Sequence, residues 1–316
     1  MITQIIQNVI LGIIQGLTEF LPVSSSGHLN IAEHLMGMSD GGVFLDVMLH
    51  IGTLAAVLIF YHKLIWRLIK AFFLLIKDIF TGKFKWSKMD GDRNLIFMLI
   101  IGLIPLFLLF VPIPEIAPGV EKVKDLADLF KESRFFIVTG FSLLVTSLLL
   151  FIGIQCNKRQ TGKHFQKDAQ SNYDGNGRTR YGVLDAITVG IGQLFAALFP
   201  GLSRSGTTLA VGEMRGINKQ AALDYTFILG IPSIIAAAVL EVKDVPKSSL
   251  NTESIIAVLC GVVAAAVVGY FAIKLFKWLL KTDRMIIFVI YTAIVGLMVV
   301  GVSVYELVTD TVVKFI

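Results

Sequence analysis

The sequence predicts an all-α polytopic membrane protein, with about six transmembrane helices and two re-entrant helix pairs arranged as an inverted-topology repeat. Three observations predict it. Of the 316 residues 55% are hydrophobic and 16% charged, and the mean hydropathy is +0.77, too apolar for a soluble domain of this length. Apolar runs long enough to cross a bilayer recur along the whole chain. Two polar islands, 22–28 and 200–208, interrupt that background. Hydroxyls, an imidazole and a guanidinium are costly in hydrocarbon unless they line a wet cavity, so the islands are where function is sought. The formal charge of +5 sits in loops between apolar runs, as membrane topology places it, and does not indicate nucleic acid.

The elements follow in order. Residues 1–38 are apolar but broken by Pro22, Gly27 and the serines, which fits a re-entrant helix pair better than two crossings, because broken backbone at membrane depth must pack on protein. No Lys or Arg precedes Lys63, so this segment lacks the basic start of a cleaved signal and is expected to be retained. A span is expected at 47–61, then an interfacial helix at 63–77 carrying Lys63, Arg67, Lys70 and Lys77. Spans follow at 95–111 and 135–154. Residues 185–215 repeat the broken character of the start, and 222–240, 255–276 and 285–308 complete the six. The basic segments 63–93 and 157–180 are expected in the cytoplasm and 115–134 and 241–253 outside, which puts both termini outside. Cys156 and Cys260 have no ligand spacing, so neither a disulfide nor a zinc site is expected.

A shift of 178 residues carries Gly12, Ile13 and Gln15 onto Gly190, Ile191 and Gln193, Pro22 onto Pro200, Asp46 onto Asp224 and Gly52 onto Gly230. Ser24, Ser25, Ser26 and Gly27 meet Ser203, Arg204, Ser205 and Gly206 one residue later. The run after Asp46 ends at the basic Lys63 side and the run after Asp224 at the opposite side, so the halves are inverted. The chain is thus read as one integral membrane domain, 1–316, with halves of approximately 1–157 and 181–316 joined by a basic cytoplasmic loop. The two island tips would meet near the midplane and form one composite site.

Arg204 is the strongest clue in that site. Its planar fork of donors suits phosphate, and Ser203, Ser205, Thr207 and Thr208 surround it with neutral donors. The competing view is a snorkelling guanidinium, or one that pairs with Glu19 or Glu213. Glu19 lies four residues after Gln15, on one helical face just before the first island. With Ser25 and His28 it provides the groups for base-assisted attack on phosphorus, and Ser24 and Ser26 add hydroxyls. Residue chemistry alone leaves catalysis and transport level. Asp46 and Asp224 read as caps of span starts, His50 as a packing residue, and Glu213 with Arg215 as a local pair. His34, His62 and His164 read as interfacial or solvated.

The stretch 15–29, from Gln15 through Glu19, Pro22, Ser24, Ser25, Ser26 and Gly27 to His28 and Leu29, followed by Pro200, Gly201, Leu202, Ser203, Arg204, Ser205, Gly206, Thr207 and Thr208, resembles the two signature motifs of the undecaprenyl-diphosphatase, or bacitracin-resistance, family. The resemblance spans the whole chain. It implies hydrolysis of undecaprenyl diphosphate to undecaprenyl phosphate and inorganic phosphate, which recycles a cell-wall lipid carrier at the outer face of the bacterial inner membrane. It matches Glu19, Ser25, His28 and Arg204 to catalytic positions, with Ser25 the proposed nucleophile; by their own chemistry His28 is the other candidate nucleophile, and Gln15, Ser24, Ser26, Ser203, Ser205, Thr207 and Thr208 are read as substrate-binding. Many members carry Glu where this chain has Gln15, which leaves one anion fewer for a divalent cation such as magnesium or calcium; Glu19 is the candidate ligand for one. The expected partners are a polyprenyl diphosphate and the bilayer, with a homodimer compatible. The phosphatidic-acid phosphatase pattern fails, since no His follows Ser203-Arg204 at the required spacing. A lipid-phosphate flippase or anion transporter is the alternative, because inverted repeats with meeting tips are transporter architecture.

Overall fold

Helices stop where the two polar islands begin. The structure, a computed structural model, describes residues 2–36, 43–83, 85, 89–115, 118–131, 135–160, 177–241 and 252–313; most of the expected loops 157–180 and 241–253, and His164, lie outside the described residues. The elements are α1 Ile2–Phe20, α2 Ser25–Leu35, α3 Val43–Phe60, α4 His62–Phe80, α5 Gly91–Leu103 continuing as a 3-10 helix Ile104–Phe110, α6 Asp125–Lys131, α7 Phe136–Gln160, α8 Val183–Leu198, α9 Arg204–Met214, α10 Lys219–Glu241, α11 Thr252–Lys281 and α12 Ile286–Thr309.

This is an all-α, multi-pass membrane protein. Five helical stretches are long and apolar enough to cross: Gly91–Phe110, Phe136–Arg159, Lys219–Val239, Ile255–Lys281 and Ile286–Thr309. A sixth is α3 if it counts with α4 as one bent pair, turned by 83° at Tyr61. The bend divides the expected span at 47–61 from the expected interfacial helix at 63–77. The expected span at 95–111 changes character at Pro105, where the missing N–H and the ring tighten the chain into the 3-10 turn.

Small residues let the backbones touch. A Cβ at Gly16 of α1 would lie 2.7 Å from the Ala265 carbonyl oxygen of α11, and one at Gly52 of α3 would lie 2.6 Å from that of Val262. Packing of this closeness replaces the hydrophobic driving force that lipid does not supply. The contact order gives direction: Gly16 meets Ala265 and Gly52 meets Val262, and Ala56 follows at Gly269, so α1, α3 and α11 run together. Ser147 of α7 bonds the Val289 carbonyl of α12 while Gly140 faces Val300, so α7 and α12 run oppositely.

The second island's helices are clamped at their base. Asp185, 2% exposed, accepts from Gly182 N at 2.9 Å, from Arg215 Nε at 2.9 Å and from Arg178 Nη1 at 2.9 Å. The expected local Glu213 and Arg215 pair is replaced by this cross-helix one. A buried carboxylate needs its cations close, and Arg215 at the end of α9 reaches the start of α8 for that reason. Asp224 lies a turn inside α10 and is not a cap: it accepts the Tyr61 hydroxyl at 2.7 Å and pairs with Lys277 at 2.9 Å.

Candidate active site

Each island breaks its helix and starts the next with the same device. Ser24 Oγ accepts Gly27 N at 3.2 Å at the start of α2, and Ser203 Oγ accepts Gly206 N at 3.1 Å at the start of α9. Each Ser thereby satisfies an otherwise orphan helix N–H. In both islands the capping hydroxyl lies 3.3 Å from the hydroxyl two residues on, Ser26 and Ser205 respectively.

The two breaks then cross. Ser205 Oγ donates to the Leu21 carbonyl at 3.1 Å, and a Cβ on Gly27 would stand 2.9 Å from Gly201 Cα. Gly201 sits at φ 91°, a region open to glycine, and an added Cβ there would collide with the Thr139 carbonyl oxygen. Ser24 holds φ 73° without being glycine. A strained residue of this kind costs on the order of 1–3 kcal/mol and persists only where the surroundings impose it. Thr146 of α7 fixes the second tip, donating to the Gly201 carbonyl at 3.2 Å and accepting Ser203 N at 3.0 Å.

Glu19 is the hub of the crossing. Its side chain is 4% exposed. Oε1 takes the Arg204 guanidinium through Nη2, while Oε2 accepts Gln15 Nε2 at 3.0 Å and Ser25 Oγ at 2.6 Å. Thus residues 185 positions apart in sequence make one ion pair, and the structure gathers Gln15, Glu19, Ser25 and Arg204 into one cluster. Arg204 brings Nη1 against Gly230 of α10, where any Cβ would occupy the place of that nitrogen. Its Nε and Nη1 have no hydrogen-bond partner among the described residues, so two donors of the fork stay free beside the carboxylate.

The other expected residues divide. Thr207 Oγ1 and Gln15 Oε1 are buried without a partner among the described residues, a costly condition that a polar ligand or water would relieve. Thr208 instead bonds back to the Arg204 carbonyl at 2.8 Å and reaches Thr226 at 3.1 Å, a structural use. Ser24 and Ser203 are spent on capping, as above. His28 does not meet Glu19 or Ser25: Nδ1 faces the Ser24 carbonyl at 2.8 Å and Nε2 the Tyr291 hydroxyl at 2.7 Å.

Sequence reasoning missed His50 and Tyr291. His50 Nε2 is 3.7 Å from Glu19 Oε2, where a packing role was expected. Its signal was its place as a histidine inside an apolar span. Tyr291 had none, being one aromatic in an apolar run.

The residues do not form a metal cage. No group of three or more His, Cys, Asp or Glu is gathered for one among the described residues. Glu19 is the single carboxylate of the cluster, and Gln15, the first residue of the motif, donates to it rather than adding charge. Donors already neutralise Glu19 on both oxygens, so the expected cation has no residue set built for it.

A second feature lies away from the cluster. A cavity of about 1190 Å³ is lined by Tyr61, Lys63, Arg180, Asp224, Lys277 and Lys281 among others, and by none of the island residues. Phe227 stands between, in edge contact with Phe20 at 5.5 Å and with Tyr61 at 5.8 Å.

Fold and cluster together define a multi-pass membrane protein that joins a buried carboxylate to a half-buried guanidinium and hydroxyls where two helix breaks cross. The chain belongs to the family described as Bacitracin resistance protein BacA, whose model matches residues 8–298. It is 37% identical over 299 residues to the undecaprenyl-diphosphatase of Alkaliphilus metalliredigens, covering 92% of this chain and 96% of that one. Against the undecaprenyl-diphosphatase of Methanobrevibacter smithii it is 37% identical, with 93% and 96% covered. Against undecaprenyl-diphosphatase 4 of Bacillus thuringiensis it is 32% identical, with 92% and 94% covered.

Proposed function

We propose that the protein hydrolyses a polyprenyl diphosphate, in the first instance undecaprenyl diphosphate, to the monophosphate and inorganic phosphate. The observation that carries this reading is the Ser25, Glu19 and Arg204 constellation, joined from two islands in a chain whose family is that of the named diphosphatases. Arg204 offers its free donors to the terminal phosphate, with Thr207 and the amides at the α9 start beside it. Ser25 Oγ attacks the terminal phosphorus and its proton passes to Glu19; the bridging P–O bond breaks and prenyl phosphate leaves. Water then attacks the phosphoserine, releasing inorganic phosphate and returning the hydroxyl. Charge on the equatorial oxygens falls to Arg204.

We read the two helix–break–helix units as re-entrant pairs of an inverted repeat, supported by the matching Ser caps and the 178-residue sequence correspondence. The loop charges favour a bacterial inner-membrane protein with the site open to the outer face. Recycling the lipid carrier there accounts for bacitracin resistance and for a part in peptidoglycan synthesis and cell shape. The second reading is a flippase or anion transporter, favoured by the basic cavity beyond Phe227. Inorganic phosphate assayed from purified protein in detergent with a prenyl diphosphate decides between them. Release at enzymatic rates supports hydrolysis. No release, with prenyl phosphate moving across proteoliposomes, supports transport.

A further inference from the structure

Two histidines border the Glu19 cluster, and geometry separates them. Both ring nitrogens of His28 are committed elsewhere, to the Ser24 carbonyl and to Tyr291. His50, brought in by α3, holds the Asp46 carbonyl with Nδ1 at 2.7 Å and turns Nε2 toward Glu19 Oε2 at 3.7 Å. A carbonyl only accepts, so Nδ1 carries a proton, and Nε2 is the nitrogen left to exchange one with the carboxylate. That carboxylate oxygen is the one that accepts Ser25 Oγ at 2.6 Å. Exposure is graded along the contact, with the His50 side chain 31% exposed and Glu19 4%.

We propose that His50 is a positioning residue for the hydrolysis, acting through Glu19: it stands behind the carboxylate that holds Ser25 and draws the serine proton on from it toward water. The inference rests on the diphosphatase reading and deepens it. In the first step the Ser25 Oγ–H bond breaks as Oγ–P forms, the proton moves to Glu19 Oε2 and on to His50 Nε2, and the bridging oxygen leaves with prenyl phosphate. In the second, water adds to phosphorus and gives one proton to the Glu19 and His50 pair, and Ser25 Oγ leaves as the hydroxyl by taking one back. One proton is released overall with the phosphates, and His50 returns to neutral.

The surroundings agree with this use. Among the described residues the charged groups nearest His50 are Glu19 from α1 and, through the same carboxylate, Arg204 from α9, with Asp46 one turn before it on α3; α11, packed on the neighbouring Gly52, brings Val262 and Ala265. A histidine kept for packing needs only the Nδ1 bond to the preceding turn. Here the second nitrogen faces the single carboxylate that holds the attacking serine.

The test is steady-state kinetics of phosphate release by the purified full-length protein. His50→Ala is expected to lower kcat about 100-fold while KM stays within about twofold. Free imidazole should restore a share of the rate, rising to a plateau, and substituted imidazoles should restore it in the order of their basicity. His50→Asn keeps a donor for the Asp46 carbonyl but no proton acceptor, and should be as slow as His50→Ala. Native kcat in His50→Ala, recovery in His50→Asn, or loss that no imidazole returns would each overturn the role. A native protein that releases no phosphate overturns the diphosphatase reading, and this inference with it.

Discussion

Arg204 meets Glu19 with one nitrogen and keeps two for a ligand, and that division depends on a planar fork. Lysine keeps the charge but not the fork: Arg204→Lys is expected to lower kcat/KM about 100-fold, measured as phosphate release from a prenyl diphosphate. Near-native turnover would remove Arg204 from phosphate recognition. Ser25 makes a sharper separation. Its hydroxyl points at Glu19 and contributes little to holding phosphate, so Ser25→Ala should lose about 1000-fold or more in kcat while binding of the diphosphate, measured by equilibrium titration, changes little. Trapped phosphohistidine in native protein, with residual turnover in Ser25→Ala, would instead make His28 the nucleophile, a role its Tyr291 bond opposes. Gln15 shows how a local exchange propagates. An amide donates to Glu19 where a second carboxylate would repel it, so this chain balances Glu19 with the Arg204 ion pair and hydrogen bonds rather than with a built cation site.

Element by element, the parts that sequence exposes are those governed by composition and spacing. The apolar runs at 222–240, 255–276 and 285–308 became α10, α11 and α12 because nothing but length and hydrophobicity decides a span. The islands became helix breaks because Pro22, Gly201 and two capping serines act locally. What sequence hides is decided by neighbours in space: Arg215 leaves Glu213 for Asp185, and Asp224 leaves the helix end for Tyr61 and Lys277. His50 was hidden likewise, since its partner is 31 positions away on a helix that only packing brings near. Gly230 is the intermediate case, visible in the repeat but not in purpose. Its lack of a side chain gives Arg204 its seat. Alanine suits a helix interior better than glycine, which offsets part of the cost of crowding Arg204, so Gly230→Ala should still fold, with a melting temperature in detergent close to native. It should nonetheless displace the guanidinium and cost on the order of 100-fold in kcat/KM. Unchanged kinetics would mean that Arg204 works from another position.

At the scale of the whole molecule the undecided quantity is the number of crossings, five or six, and α3 decides it. The 18 residues of α3 span about 27 Å at 1.5 Å per residue, close to the thickness of a hydrocarbon core. It runs alongside α11, whose crossing is not in question, with Gly52 and Ala56 against the same face. At Tyr61 the chain turns by 83° into α4, whose Lys63, Arg67, Lys70 and Lys77 belong at a headgroup surface. A helix that accompanies a full span and ends in a basic interfacial helix is expected to cross. With α3 counted there are six crossings, and both termini share a side. Three of them precede the basic 157–180 segment, which then faces the opposite side, in keeping with its charge. Without α3 there are five, and the termini are opposed. Single cysteines introduced at position 170 and at the C-terminus, after replacement of Cys156 and Cys260, should therefore label from opposite sides of intact membranes, and one introduced near the N-terminus should label with the C-terminal one. An N-terminal cysteine that labels with position 170 would return α3 to the interior of a five-span fold.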